Sequence, residues 1–259
     1  MTNGTPHLLI LLTGHTSPEV IAHDGDYDRW FIDSLRPAGC RFTVRDVPDD
    51  GLGDTGAFDG VLVTGTTASV LDRRPWMDPL ADFLADAAGP PTLAVCFAAQ
   101  LAADALGGRV ERNPAGWEIG TVEIEITAAG RDDPLLAGLS DPVRVQATHE
   151  DVVTRVPPAA TLLARNRVTP VQAFTSGRLH ALQFHPEAHA GIVGRLIDLR
   201  REALERDALA HGAPDGAAAR QAVDDLSRAV CATPAGETML TNWVNRCVRR
   251  GDQSAADTV

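Results

Sequence analysis

The chain has 259 residues, 44% of them hydrophobic and 22% charged, an ordinary composition for a soluble globular protein. Acidic residues outnumber basic ones by 35 to 23, and the formal net charge is −12. This charge argues against nucleic acid or an anionic membrane as the main partner, because neither is attracted to a negative surface. The apolar run at residues 8–12 is too short for a signal peptide or a membrane span, so a cytoplasmic location is expected.

The first two-thirds of the chain alternates short apolar runs with amphipathic segments, which is the pattern of a sheet covered by helices. Strands are predicted at residues 7–12, 41–47, 60–64 and 92–95. Helices are predicted at residues 27–37, 78–88 and 97–106, the last ended by the pair Gly107-Gly108.

Residues 118–127 alternate apolar and acidic side chains, as a half-buried antiparallel strand does. Further strands are predicted at residues 162–164, 170–174 and 178–184, the last two joined by a Ser-Gly turn. From residue 190 the chain is predicted to be helical, with breaks at residues 211–216 and 233–236. Residues 251–259 are expected to form a flexible tail.

The four cysteines (Cys40, Cys96, Cys231 and Cys247) have no Cys-x-x-Cys spacing, which in a reducing compartment favours free thiols over disulfides or a zinc site. Cys96 alone lies where a buried strand is predicted to end and a helix to begin. The N–H groups and positive potential of a helix N-terminus favour a thiolate and an adjacent oxyanion. Cys96 is therefore a candidate nucleophile, and a buried structural cysteine is the alternative.

A second candidate element is His185-Pro186-Glu187, which follows the strand predicted at residues 178–184. A histidine at a strand end can act as a general base, and Pro186 restricts the backbone so that the Glu187 carboxylate can accept a hydrogen bond from the far imidazole nitrogen. The alternative is a histidine in a turn beside a solvated glutamate. Because the members of a triad need to meet only in space, the 89 residues between Cys96 and His185 do not separate the two elements functionally.

At these motifs the sequence resembles the class I glutamine amidotransferases. Residues 93–100, Leu-Ala-Val-Cys-Phe-Ala-Ala-Gln, are similar to the nucleophile segment Gly-x-Cys-x-Gly-x-Gln of that family, and His185-Pro-Glu187 matches its base and orienting residue. The segments at residues 63–70, 113–120, 149–151 and 169–174 resemble the stand-alone, GMP-synthase-like branch. The similarity extends over residues 8–187 and into the helical tail.

The resemblance implies a flavodoxin-like α/β fold, with a mixed central sheet flanked by helices and a helical C-terminal extension. It places the amidotransferase domain at residues 1–190 and the extension, packed on or beside it, at residues 191–250. It also implies hydrolysis of a γ-glutamyl amide through a thioester, with Cys96 as nucleophile, His185 as base and acid, and Glu187 as the residue that orients His185. No cofactor and no metal are implied.

Further residue roles follow from the same resemblance. The backbone N–H groups of Thr66 and Phe97 form the oxyanion hole, which stabilises a tetrahedral intermediate by several kcal/mol in such sites. Gly65 and Gln100 contact the substrate, Gln100 near its γ-carbonyl group, and His149 lies by the α-amino and carboxylate end.

The sequence departs from the family pattern around the nucleophile. Ala94 and Ala98 replace the two motif glycines, Ala99 stands where relatives often have His or Met, and Thr66 replaces a common glycine. A tight turn with positive φ tolerates a Cβ poorly. The departures allow an altered substrate pocket, a slow enzyme, or an oxyanion hole completed by a partner.

Three functional hypotheses are therefore open. The first is a glutamine amidotransferase that delivers ammonia to a synthetase subunit, since no ATP-binding loop is evident in this chain. The second is a stand-alone hydrolase of a γ-glutamyl conjugate, and the third is a catalytically silent binding or regulatory relative. The small-molecule amide is the expected ligand, and the helical tail could hold a homodimer mate or simply pack on the sheet.

Metal binding is the remaining alternative. His185 and His189 are four residues apart, as ligands on one helix could be, but Pro186 lies between them and no third ligand is evident. The segment at residues 149–151, His-Glu-Asp, is interpreted as a solvated loop that enters a strand rather than as a metal cluster.

Overall fold

The computed structural model describes residues 4–249, which form a large twisted sheet with helices on both faces. The strands are β1 (His7–Leu12), β2 (Arg41–Asp46), β3 (Gly60–Val63), β4 (Thr92–Val95), β5 (Arg109–Arg112), β6 (Glu118–Ile126), β7 (Val143–His149), β8 (Asp151–Arg155), β9 (Thr161–Arg165), β10 (Ala173–Ser176) and β11 (Leu179–Leu182). The helices are α1 (Pro18–Asp24), α2 (Tyr27–Leu35), α3 (Val47–Asp50), α4 (Met77–Ala85), α5 (Phe97–Ala105), α6 (Ala128–Asp132), α7 (Ala190–Leu199), α8 (Arg201–Ala210), α9 (Gly216–Ala229) and α10 (Ala235–Asn242).

Nine strands form the main sheet in the order β2-β1-β3-β4-β11-β10-β9-β6-β7. The neighbours from β2 to β11 are parallel, and those from β11 to β7 are antiparallel. Strands β5 and β8 form a separate antiparallel pair. Because the carboxyl ends of parallel strands share one edge of a sheet, the segments that follow β1, β3, β4 and β11 meet there.

The strands of the parallel half are buried on both faces. Along β1, Leu8 and Ile10 belong to one buried cluster, whereas Leu9 and Leu11 belong to another on the opposite face. Successive side chains of a strand point to opposite sides, so a strand covered on both faces has a continuous apolar run rather than an alternation. The sequence His7–Leu12 has this run.

The C-terminal helices share the core of the sheet. Met239, Leu240, Trp243 and Val244 are fully buried in the same cluster as Leu8, on one face of the sheet. A π-helical turn at Trp243–Val248 continues α10. The domain boundary at residue 190 stays a prediction, and the tail predicted at residues 251–259 lies outside the described residues. Within residues 4–249, no helix has both the length and the apolar character needed to cross a membrane.

Most predicted elements are present with small shifts in their ends. Strands β1 and β4 have the predicted limits, and α5 ends at Ala105, followed by Gly107 with a φ of 83°. The strand predicted at residues 170–174 starts later, at Ala173, because the segment before it turns to bring polar side chains to Glu118. Sequence patterns missed α1, α3, α6, β5, β7 and β8.

Candidate active site

Cys96 occupies a strained turn between β4 and α5. Its φ of 53° and ψ of −107° lie in a region that non-glycine residues rarely adopt. The backbone N–H of Cys96 donates to the Leu182 carbonyl at 2.7 Å, and the Cys96 carbonyl accepts from the N–H of Gln100 at 3.0 Å. These bonds hold the turn between neighbouring strands and the first turn of the helix, and the residue is only 6% exposed. Nucleophiles of hydrolases commonly occupy strained strand-to-helix turns.

The motif alanines fill the space around this turn. Ala94 and Ala98 are fully buried, and Ala99 is 2% exposed. Their methyl groups pack with Phe97 in the cluster on one face of the sheet. The strand, the positive φ at Cys96 and the helix are therefore all present with alanine at both motif glycine positions.

His185 and Glu187 form a buried pair directly after β11. Nδ1 of His185 lies 2.7 Å from Oε1 of Glu187, and the side chains are 4% and 0% exposed. The backbone N–H of His185 donates to the Gln146 carbonyl at 2.8 Å. Nε2 of His185 has no hydrogen-bond acceptor or donor of good geometry within residues 4–249. One ring nitrogen is thus engaged by the carboxylate, and the other is available for chemistry.

Gly65 lies between the side chains of His185 and Cys96. A Cβ placed on Gly65 would lie 3.1 Å from Cε1 of His185 and 3.3 Å from Cβ of Cys96. Both side chains therefore flank this glycine, and the absence of a side chain there allows their approach. Strands β4 and β11 are adjacent and in parallel register up to the pair Val95 and Leu182, so the two segments leave the sheet together.

The local charges favour the protonated imidazole. Burial alone disfavours the imidazolium, but the charges of Glu187 and Cys96 and the hydrogen bond to Glu187 outweigh burial and raise the pKa of His185 from 6.5 to about 10. A protonated His185 beside the sulfur can stabilise a thiolate and later supply a proton to a leaving amine.

The loop after β3 lies against the same site. Oγ1 of Thr13 donates to the carbonyls of Thr64 and Gly65, at 3.0 and 3.1 Å, so the chain end of β1 supports this loop. Gly14 has a φ of 144°, and a Cβ on Gly14 would collide with Oγ1 of Thr66. Among the described residues, the backbone N–H groups of Thr66 and Phe97 donate no hydrogen bond to the protein. Both remain candidates for the oxyanion hole.

Gln100 and Gln183 form a chain of amides that reaches the sulfur. Nε2 of Gln100 donates to the Asp151 carbonyl at 2.7 Å and to Oε1 of Gln183 at 3.3 Å. Nε2 of Gln183 in turn lies 3.8 Å from Sγ of Cys96. Sequence reasoning did not single out Gln183. The sequence did carry one signal for it, since Gln183 is a polar residue within the apolar run that precedes His185.

His149 lies in a second buried pair, with Glu118. Its Nε2 is 3.0 Å from Oε2 of Glu118, although the N–H direction departs from good hydrogen-bond geometry, and its side chain is 1% exposed. Burial opposes ionisation of the Glu118 carboxyl, but the facing imidazole and the hydrogen bonds from Thr169 and Asn166 outweigh it and hold the pKa of Glu118 below its ordinary value. The role of His149 at the substrate stays a prediction.

The prediction of a solvated loop at residues 149–151 is wrong. His149 ends β7 and Asp151 begins β8, and both residues are buried because the two strands pair with β6 and β5. Among residues 4–249, no cluster of His, Cys, Asp and Glu has the arrangement of a metal site. His189 instead caps α7, and its Nδ1 accepts from the N–H of Ile192.

The family model described as "Glutamine amidotransferase class-I" matches residues 20–197, which is more than half of the chain and includes Cys96, His185 and Glu187. The chain belongs to the class I glutamine amidotransferase family. This membership confirms the resemblance, and the structure confirms the α/β class with a mixed central sheet flanked by helices.

Several curated relatives are glutamine-hydrolysing GMP synthases or their subunits. Such a subunit from Halobacterium salinarum is 38% identical over 99 residues, covering 38% of this chain and 52% of that protein. The corresponding protein of Sulfolobus acidocaldarius is 29% identical over 171 residues, covering 65% of this chain and 87% of that protein. The matched region spans about half of the first relative and 24% of the Thermus thermophilus GMP synthase.

Solved structures show the same fold at low identity. A glutamine amidotransferase from Thermotoga maritima has a TM-score of 0.65 and 21% identity, and the match covers 93% of this chain and 98% of that one. The protein SMU.1228c has a TM-score of 0.68 and 20% identity, with coverage of 93% and 99%. Coverage of this extent includes C-terminal helices as well as the sheet.

Proposed function

We propose that this amidotransferase-family chain hydrolyses a γ-glutamyl amide, with glutamine as the reference substrate, through a thioester on Cys96. The proposal is carried by the proximity of a strained cysteine at a helix N-terminus to the buried His185–Glu187 pair. Nε2 of His185 has no hydrogen-bond partner among residues 4–249. Class I family membership and the glutamine-hydrolysing relatives support it. The free thiols of all four cysteines support a cytoplasmic location.

The reaction begins with attack of the Cys96 sulfur on the amide carbon. The carbonyl π electrons move to oxygen, and the backbone N–H groups of Thr66 and Phe97 stabilise the resulting oxyanion. Collapse of this intermediate breaks the carbon–nitrogen bond, and the Nε2 proton of His185 passes to the departing amine. The products of this half are the γ-glutamyl thioester and ammonia, or a primary amine.

Water completes the cycle. His185, now neutral, takes a proton from the water that attacks the thioester carbon, and the second tetrahedral intermediate expels the sulfur. Glutamate leaves, and the thiolate–imidazolium pair is restored. Glu187 holds the ring orientation through Nδ1 in both halves.

The acceptor that we propose for the ammonia is a synthetase partner on another chain. The support is that the relatives from Halobacterium salinarum and Sulfolobus acidocaldarius are subunits of a glutamine-hydrolysing GMP synthase. The second candidate, a stand-alone hydrolase of γ-glutamyl conjugates, is favoured by the altered residues beside the nucleophile. Ala94 and Ala98 place buried methyl groups where the motif has glycines, and Ala99 is smaller than the His or Met that relatives often have there.

Turnover by the Cys96→Ala variant tests the hydrolase. Ammonia and glutamate release from glutamine, and amine release from γ-glutamyl conjugates, would be measured for the wild type, for Cys96→Ala and for Cys40→Ala, in which a partly buried cysteine just before β2 is replaced. We expect Cys96→Ala to lose turnover by about 10³-fold or more while it keeps its melting temperature. Full turnover in Cys96→Ala would exclude Cys96 as nucleophile. Alkylation of Cys96 without wild-type turnover of any amide would favour the catalytically silent relative.

A further inference from the structure

Arg200 stands at the junction between α7 and α8. It ends one helix and precedes the other, and its backbone N–H donates to the Leu196 carbonyl at 3.1 Å. The bend places the guanidinium over the Trp117 ring, 5.4 Å from the ring centroid. Nη1 also donates to Oγ1 of Thr148 at 3.0 Å. These two contacts fix the side chain by stacking on one side and a hydrogen bond on the other.

Within the described part of the chain, Arg200 differs from the nearby arginines because no carboxylate pairs with it. Arg195 lies 2.6 Å from Asp24, and Arg201 lies 2.7 Å from Asp224. No carboxylate of residues 4–249 comes within ion-pair distance of Arg200, although the chain as a whole is strongly acidic. A partly buried cation without an anion carries an uncompensated desolvation cost, which an anionic ligand can offset.

The two residues that hold the Arg200 side chain adjoin residues that hold His185 and Glu187. Thr148 lies two residues after Gln146 on β7, and the Gln146 carbonyl accepts a hydrogen bond from the His185 N–H. Trp117 packs against the buried cluster that contains Tyr27 and Ala188, and the latter is next to Glu187. The buried cluster that includes Tyr27 and Ala188 and packs against Trp117 therefore lies between Arg200 and the Glu187 segment.

The electrostatics agree with this placement. Burial lowers the pKa of Arg200, and the charges of Tyr27 and Cys96 act in the opposite direction. Burial raises the pKa of the Tyr27 phenol, which is sensitive to Arg200 and to Cys96 in turn. The three groups therefore share one desolvated environment.

We infer that Arg200, seated between Trp117 and Thr148, binds a carboxylate of the γ-glutamyl substrate. This inference rests on the proposed hydrolysis at Cys96. A guanidinium binds a carboxylate through two parallel hydrogen bonds, and Arg200 has donors left after its bond to Thr148. The carboxylate has two possible sources, the α-carboxylate of the glutamyl group or a carboxylate on the leaving amine.

Substrate pairs that differ by one carboxylate distinguish the two sources. Glutamine and its α-amide, glutaminamide, differ at the glutamyl end. γ-Glutamylglycine and γ-glutamylethylamide differ at the leaving amine. The variants would be Arg200→Gln and the matched control Arg201→Gln, which removes the neighbouring arginine that already pairs with Asp224.

We expect Arg200→Gln to raise the KM about tenfold to a hundredfold for the substrates that carry the recognised carboxylate, with kcat changed less than KM. A rise for every substrate except glutaminamide identifies the α-carboxylate. A rise for γ-glutamylglycine alone identifies the leaving amine. An unchanged KM for all four, or an equal loss for substrates with and without each carboxylate, overturns the inference.

A binding measurement separates this inference from the proposed function. Calorimetric titration of glutamate and of γ-glutamylglycine into Cys96→Ala protein requires no turnover. Binding that weakens at least tenfold on adding Arg200→Gln, but not on adding Arg201→Gln, supports the subsite even if wild-type protein hydrolyses no amide. Binding that is equal in both double variants overturns it. Should Arg200→Gln fail to fold, Arg200→Met and Arg200→Lys replace it, and only the lysine variant is expected to bind.

Discussion

Two buried histidine–carboxylate pairs in this protein have similar geometry and different surroundings. His185 lies 2.7 Å from Glu187, and His149 lies 3.0 Å from Glu118. Both histidines end or follow a strand of the main sheet. Within residues 4–249, Nε2 of His185 and Nδ1 of His149 both lack a hydrogen-bond partner. The first pair lies beside Cys96, whereas the carboxylate of the second is surrounded by donors.

The Glu118 oxygens accept three hydrogen bonds from neighbouring side chains. Thr169 and Gln172 donate to Oε2 at 2.7 and 2.9 Å, and Asn166 donates to Oε1 at 2.5 Å. These donors tie the loop before β10 to the start of β6. The comparison teaches that a buried imidazole–carboxylate contact is not by itself a catalytic feature. What distinguishes His185 is that its ring flanks Gly65 together with Cys96.

The largest effect is expected from His185→Gln. The glutamine can still donate to Glu187, but it cannot transfer a proton, so kcat should fall about 10³-fold or more while the melting temperature changes little. His180→Gln is the matched control, because His180 is buried on β11 and lies 3.2 Å from the Asp133 carboxylate. Turnover and thermal unfolding would be measured together. Equal losses of turnover in both variants would contradict a special role for His185.

Glu187→Gln should have the next largest effect, about 10²-fold on kcat, together with a change in pH dependence. The Glu187 charge helps to raise the pKa of His185 to about 10, so wild-type kcat/KM should fall as the pH rises through that value and the imidazolium is lost. Without this charge the pKa is lower, and the alkaline limb moves to lower pH. Profiles from about pH 6 to pH 11 would show the shift, which Glu187→Asp should largely restore. An unmoved limb would contradict the assigned coupling.

Glu118→Gln should affect stability more than turnover. Loss of the charged acceptor for buried donors is expected to lower the free energy of unfolding by about 1–3 kcal/mol, with kcat/KM changed less than about tenfold. Because the pKa of Glu118 is lowered, its ionised form contributes stability above the ordinary value of 4.5, and this contribution is lost as the pH falls through the folded-state pKa. Denaturant unfolding at about pH 7 and pH 3 should therefore show the larger difference from wild type at the higher pH. A larger difference at the lower pH would contradict this assignment.

The sequence allowed good prediction where local pattern decides structure. The apolar run His7–Leu12 and the strand Thr92–Val95 stand out because both faces of these strands are buried. Sequence patterns missed β7 and β8, since their identity depends on pairing with β6 and β5, and the segment His-Glu-Asp at residues 149–151 has polar residues that are typical of loops.

The residues of the candidate site could, like the strands, be predicted from the sequence only in part. Cys96 and His185 could be singled out because each follows an apolar run at a predicted strand end. Gln183 could not be assigned a role, because its contact with the sulfur exists only when β4 and β11 are neighbours in the sheet. Arg200 has no distinguishing local pattern, since it lies beside Arg201 in a helical region rich in charges.

The sequence by itself determined the α/β alternation, the placement of Cys96 at a strand-to-helix turn, and the presence of an imidazole with a carboxylate two residues later. These are properties of short segments, and local backbone preference with side-chain periodicity encodes them. Only the tertiary structure decided which histidine faces the sulfur and which carboxylate is enclosed by donors. It also decided that, within residues 4–249, Arg200 lacks the acidic partner that Arg195 and Arg201 have, because contacts between distant segments depend on how the strands and helices pack.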